Sequence, residues 1–231
     1  LAVDGHFHGE DAWYHIRKKS KPALSELFGA HEHEVVAMNN LSVNLHLLMV
    51  SFYRPTKSRN KIIIEAGAFP SDQYMLESQV KFHGLNPAEV IVELKPREGE
   101  HTLRTEDILA EIKKQGDSLS LVNMAGLQYY TGQLFDMKAI SQAAHSVGAF
   151  AGFDLAHAAG NIPLKLHDWE VDFATWCSYK YLNSGPGNVS GIYVHEKYAE
   201  SPDLPRFAGW WGHDEGQRFL MEKGFIPMHG A

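Results

Sequence analysis

Lys180 follows an apolar run, Val171-Asp-Phe-Ala-Thr-Trp-Cys177, that reads as a buried strand. An amine at the mouth of such a strand, fenced by Trp176, Tyr179 and Tyr181, is expected to be partly desolvated. Its pKa then falls and it suits the role of a Schiff-base nucleophile. Asp154, 26 residues upstream, closes a second apolar run, Ala149-Phe-Ala-Gly-Phe153. A buried carboxylate facing the same crevice can keep a ring nitrogen protonated. Phe69-Pro-Ser-Asp72 adds an aromatic face and another acid. Ser42, read as the N-cap of a helix running through about Phe52, leaves free backbone N–H groups at the helix start, a site for phosphate. Amine, acid, aromatic ring and anion site together meet the needs of pyridoxal phosphate.

The elements that must position these groups alternate along the chain. After an irregular stretch over 1–34, with a helix from about Lys21 to Phe28 ended by Gly29, come a strand from Val35 to Met38 and the Ser42 helix. Lys61–Glu65 reads as a strand and Asp72–His83 as a helix capped by Ser71 or Asp72. Val90–Leu94 is a strand, and Thr105 caps a helix over Glu106–Gln115 with acids first, lysines last and Gly116 beyond. Ser120–Ala125 is a strand, Asp136–Val147 a helix, and Ala149–Phe153 a strand. Asn183-Ser-Gly-Pro-Gly187 must be loop, and Pro202–Pro205 reads as a surface turn. Strands apolar on both faces, alternating with helices, predict an α/β fold with a mostly parallel sheet covered by helices. Ligands of such sheets bind outside the carboxyl ends of the strands, where all four groups fall. Asp154 and Lys180 are expected to lie one strand–helix–strand unit apart.

A net charge of −7 advertises no basic face for nucleic acid or anionic membrane. No apolar run approaches a membrane span. The single cysteine, Cys177, rules out an internal disulfide. Fourteen histidines include His6-Phe-His8 and His31-Glu-His33, but neither pair has a third ligand at a recognised spacing, so no metal is expected. The first residues show no signal peptide, and the chain is expected to be a piece of something longer.

Longer blocks resemble the kynureninase family: Phe69-Pro-Ser-Asp72, Gly152-Phe-Asp-Leu-Ala-His157 and Trp176-Cys-Ser-Tyr-Lys-Tyr-Leu-Asn183. Asn44–Met49, Tyr130-Thr-Gly132, His167-Asp-Trp169 and Gly209-Trp-Trp-Gly-His213 agree, so the resemblance spans essentially the whole chain. It implies the large domain of a fold-type I pyridoxal-phosphate enzyme over 35–231, with 1–34 contributing to the active site. It also implies a homodimer with active sites at the subunit interface. Residue by residue, it makes Lys180 the Schiff-base lysine and Asp154 the partner of the pyridinium nitrogen. Leu41 and Ser42 match the phosphate-binding turn, and Phe69 the ring-stacking aromatic. Asp72 and His157 match polar contacts to the cofactor. Tyr179 matches a tyrosine near the phosphate that donates or accepts protons, Trp210 (or, given a one-residue insertion before it, Trp211) a cofactor-site tryptophan, and His6 a histidine near the substrate ring, with Trp13 beside it. At Ala125 some members carry a hydroxyl residue. The family's carboxylate-binding arginine and a substrate-selecting asparagine lie in a C-terminal domain outside this chain.

The implied reaction is hydrolysis of L-kynurenine, or its 3-hydroxy form, to an anthranilate and L-alanine, in tryptophan catabolism and in the cytoplasm. Two alternatives stand beside it. A related enzyme such as a cysteine desulfurase or aminotransferase shares the cofactor; desulfurases usually place His before the lysine and need a mobile cysteine, where this chain has Tyr179 and Cys177. A truncated chain could instead bind the cofactor without turning anything over.

Overall fold

The computed structural model describes residues 2–10, 12–201 and 203–230. Seven strands form one sheet in the order β1-β7-β6-β5-β4-β2-β3. They are β1 (Val35–Ala37), β2 (Lys61–Glu65), β3 (Ile91–Leu94), β4 (Leu119–Ala125), β5 (Phe150–Asp154), β6 (Phe173–Trp176) and β7 (Gly191–Val194). Strands β2 to β6 run parallel, while β7 pairs antiparallel with both β6 and β1. The parallel core is as expected from the apolar runs. The antiparallel edge is not: Gly191-Ile-Tyr-Val194 is too short to show a period, and only pairing to β6 and β1 makes it a strand.

Helices cover both faces. On one lie α1 (Lys21–Phe28), α5 (Thr105–Gln115) and α6 (Met137–Ser146), with Phe28, Ile112 and Ile140 packed on Ile63, Val122 and Phe153. On the other, α2 (Leu41–Phe52), α3 (Pro70–Phe82) and the short α4 (Pro87–Val90) bury Leu45, Met49 and Leu76 against Ile62, Ile64 and Leu121. Burial on both faces is why the central strands are predominantly apolar.

Helix starts depart from the expected caps. The Oδ1 of Asn40, not Ser42, accepts from Val43 N at 3.0 Å, which puts Ser42 inside α2. Helix α3 begins at Pro70, whose fixed φ suits the first helical position, so neither Ser71 nor Asp72 caps it. Thr105 is already the first residue of α5, after Arg104. Asp136, read as the first helical residue, is instead the cap of α6, while Gly29 ends α1 as expected, in the left-handed conformation. No helix joins β5 to β6; residues 155–172 are a chain of turns. Asp203 and Leu204 lie in a turn, while Pro202 is outside the described residues.

Trp176 does not fence Lys180. Its ring is fully buried in the core and stacks on Phe28 with centroids 4.0 Å apart. Glycine makes room for such rings on neighbouring strands: Gly152 pairs with Phe173 and Gly191 with Trp176. A Cβ on Gly152 would lie 2.0 Å from the Phe173 ring, and one on Gly191 2.1 Å from the indole. Gly152→Ala is therefore expected to destabilise the fold by about 1–3 kcal/mol or more, through displaced rings rather than lost area. Urea unfolding with an unchanged slope and a lower midpoint would register it.

Among the described residues, no helix is long and apolar enough to cross a membrane.

Candidate active site

The carboxyl ends of β5 and β6 and the starts of α2 and α3 surround a cavity of ≈ 270 Å³. Its lining includes the predicted Leu41, Ser42, Phe69, Asp154, His157, Tyr179 and Lys180. Asn40, Ser71, Ala156 and Cys177 complete it. A narrow cleft continuing past Phe69 and Asp154 holds the predicted Asp72 and Ala125, together with Glu65, Leu127 and Tyr129.

Local geometry sets each group. Asn39 (φ 46°) and the cap Asn40 turn the chain into α2. Asn44 locks that turn by donating to Met38 O at 2.9 Å and accepting from Asn39 Nδ2 at 3.2 Å. With Val43 N capped, the amides of Leu41 and Ser42 remain as first-turn donors on the cavity wall. Phe69 sits just before Pro70 and is 44% exposed, its ring free to meet a planar ligand. Lys180 Nζ lies 5.5 Å from the centroid of that ring and donates to His157 Nε2 at 3.0 Å. Burial, then the nearby lysine charge, lowers the pKa of His157 and keeps it a neutral acceptor.

Under the cavity lies a pair of acids. Asp154 is buried at the end of β5, and its Oδ1 accepts from Ala156 N at 2.7 Å. Asp72, from the first turn of α3, reaches it from the other side. Burial and the charge of Asp154 push Asp72 well above the carboxylate range, and it donates to Asp154. Burial also raises Asp154, but the hydrogen bonds from Asp72 and Ala156 and the charge of Lys180 pull the other way. Both carboxyls are thus raised, Asp72 the more strongly, which makes Asp72 the donor and Asp154 the acceptor between them.

Glu65 was not anticipated, although a lone acid closing the run Ile62-Ile-Ile-Glu65 was a visible signal. Its carboxyl, 3% exposed, accepts from Ala125 N at 3.3 Å on both oxygens. Burial, only partly offset by backbone hydrogen bonds, pushes its pKa up to about 7. An acid raised on folding favours the folded state most when both states are protonated, and that advantage is lost as pH rises through the folded pKa. Between about pH 4.5 and 7 this group should cost the cofactor-free protein about 3 kcal/mol of stability. Glu65→Gln keeps an acceptor for Ala125 and has no proton to lose. Urea midpoints at pH 5 and pH 8 should converge in the variant; an unchanged pH dependence would sink the assignment.

The Tyr179 hydroxyl shares a 3.3 Å hydrogen bond with the Cys177 thiol. That contact, then burial, pushes the phenol up to about 12, so it is a proton donor at neutral pH. Cys177 is 4% exposed, and burial raises its pKa, the opposite of a mobile catalytic thiolate.

Two predicted residues lie elsewhere. Trp210 donates from Nε1 to Arg218 O at 3.0 Å and packs on Trp211 and Phe219. His6 packs edge-on against Trp13, with ring centroids 5.6 Å apart, and meets Val3 O through Nδ1. Neither lines the cavity.

The family model described as aminotransferase class-V matches residues 5–209. The chain belongs to the class-V aminotransferase family. Within this family it is 62% identical over all of its 231 residues to a kynureninase of Flavobacterium psychrophilum, covering 54% of that protein. It is 56% identical over its full length to a kynureninase of Nematostella vectensis, covering 50% of that protein. The chain therefore spans about half the length of the curated relatives it matches. Solved structures share the fold. A C-DES mutant with glycine covalently linked to the PLP cofactor superposes with a TM-score of 0.73, at 17% identity over 97% of this chain and 56% of that one. Apo cysteine desulfurase from Thermococcus onnurineus gives 0.69 at 19% identity, over 92% of this chain and 50% of that one.

Proposed function

We propose that this chain is the pyridoxal-phosphate-binding part of a kynureninase, hydrolysing the Cβ–Cγ bond of L-kynurenine or 3-hydroxy-L-kynurenine to an anthranilate and L-alanine. The observation that carries the reading is the convergence of Lys180, Phe69, the Asp72–Asp154 pair and the α2 amides on one cavity. Its support is the identity to kynureninases along the whole chain.

The residues fit pyridoxal phosphate. Asp154 is a buried acceptor with the donor Asp72 behind it, which suits a protonated ring nitrogen in front. Phe69 offers a face for the ring, and Leu41 and Ser42 offer amides for a phosphate at a helix start. Lys180 offers the amine for an aldehyde carbon. When bound, the cofactor supplies an electron sink for negative charge at the substrate Cα.

The chain's own groups hold and move protons around that sink. Lys180 Nζ is the base for the Cα proton, aimed by its hydrogen bond to His157. Tyr179, kept protonated by Cys177 and burial, is the donor that returns a proton to the alanine fragment. Asp154 keeps the ring nitrogen proton in place, and Asp72 steadies Asp154. The substrate carboxylate is assigned no residue within this chain.

A homodimer belongs to the reading, with the domain division at 34/35. In it, His6 and Trp210 complete the cavity of the second copy, since neither lines its own. Mixing full-length Lys180→Ala and Trp210→Ala proteins, each inactive, should restore about a quarter of wild-type activity by statistical pairing. No restoration would put Trp210 in its own chain's site.

The test of the reaction is turnover of L-kynurenine by the full-length protein without added keto acid, with one alanine released per anthranilate. A requirement for a keto acid would make it an aminotransferase instead. A cytoplasmic enzyme of tryptophan catabolism is the setting this activity implies.

A further inference from the structure

We propose that the opposite end of the sheet holds a divalent transition-metal site, with ligands from His31, Glu34 and His167. β7 runs antiparallel to β6, with Gly191 opposite Trp176 at the active-site end and Val194 opposite Phe173 at the far end. Val35 pairs with Tyr193, so Glu34 and His195 also lie at the far end. His167, in the turns before β6, reaches the same place. The proposal is independent of the catalytic reading.

Donor atoms of His31, Glu34 and His167 all lie within 4.8 Å of one another. His167 Nδ1 donates to Glu34 at 3.0 and 3.2 Å on its two oxygens. Zinc-class ions bind nitrogen and oxygen at about 2.0–2.2 Å, which sets neighbouring ligands roughly 3.3 Å apart. The His167–Glu34 pair is already near that spacing, so an ion could replace the proton they share and release it to solvent. His31 is half-exposed, and its ring centroid lies 4.2 Å from that of His167. Rotation of that side chain can close the rest. Both imidazoles line an open surface cleft, which gives an ion a way in.

The charge balance of this corner points the same way. Glu34 has no exposed side-chain surface. Its carboxylate accepts from His31 N–H at 2.8 Å, from His167 at 3.0 Å and from Glu196 N–H at 2.7 Å. Its ion-pair partners among the described residues are imidazoles, His167 and His195 at 3.0 and 3.7 Å. A second carboxylate, Glu196, stands 3.1 Å from His33 and 3.9 Å from His31. Imidazoles crowded around a buried anion are the donor set that zinc, nickel and copper prefer.

The test is titration of the untagged full-length protein with Zn²⁺ alone, followed by calorimetry, and with Co²⁺, followed by its visible absorption. One equivalent should bind with a Kd of about 1–10 μM. His31→Gln, at a half-exposed position, should weaken binding by at least about tenfold. His167→Gln should abolish it, and His8→Gln should leave it unchanged. Circular dichroism separates loss of binding from loss of folding, and His31→Gln alone decides the matter if His167→Gln fails to fold. Absence of binding up to about 1 mM, or binding unaffected by His31→Gln, overturns the proposal.

Discussion

In the full-length protein, Lys180→Ala is expected to lower kcat for L-kynurenine hydrolysis by about 10⁴-fold or more. The substitution removes two functions at once: the amine that would hold the cofactor's aldehyde carbon and the base for the Cα proton. Phe69, Asp154 and the α2 amides remain, so pyridoxal phosphate should still bind, without the visible band that borohydride bleaches. Wild-type protein reduced with borohydride should yield one labelled peptide, and that peptide should contain Lys180. Stability should change little, because Lys180 is only partly buried and its side-chain hydrogen bond is to His157. A variant retaining more than about 1% of activity, or a label on another lysine, would move the chemistry away from this strand end.

Lys180 and Asp154 were legible because each closes an unbroken apolar run, and a parallel sheet brings the ends of such runs to one edge. The α/β class followed from the same runs. What stayed hidden depends on pairing between distant segments. The four residues of β7 are too few to show a period, and their direction is set by β6. Asp72 looked like a helix cap, but Pro70 starts the helix and frees the carboxyl to reach Asp154. Trp176 looked like part of the lysine's surroundings, yet a tryptophan four residues before Lys180 on a strand buried on both faces points into the core, where Gly191 gives it room. His31-Glu-His33 had no third ligand in sequence because His167 is more than a hundred residues away and meets Glu34 only through the fold. Local cues reveal which residues are chemically capable; they do not reveal which of them touch.

Asp154→Asn should reduce kcat by about 10²–10³-fold, with KM far less affected. The amide is nearly isosteric and its oxygen can still accept from Ala156 N, so the turn after β5 should survive. What disappears is the negative charge facing the ring nitrogen, and with it the proton that makes the ring an effective sink. The comparison with Asp72→Asn separates this from mere damage to the pair. Asp72 is the donor of the pair in the folded protein, and an asparagine there can still donate to Asp154. Its kcat should therefore fall by less than about tenfold, the scale of one neutral hydrogen bond. Equal losses in the two variants would mean that both carboxyls share the charge. Near-wild-type activity in Asp154→Asn would mean that the ring nitrogen finds its partner elsewhere, and Glu65, the third acid of this floor, would be the residue to substitute next.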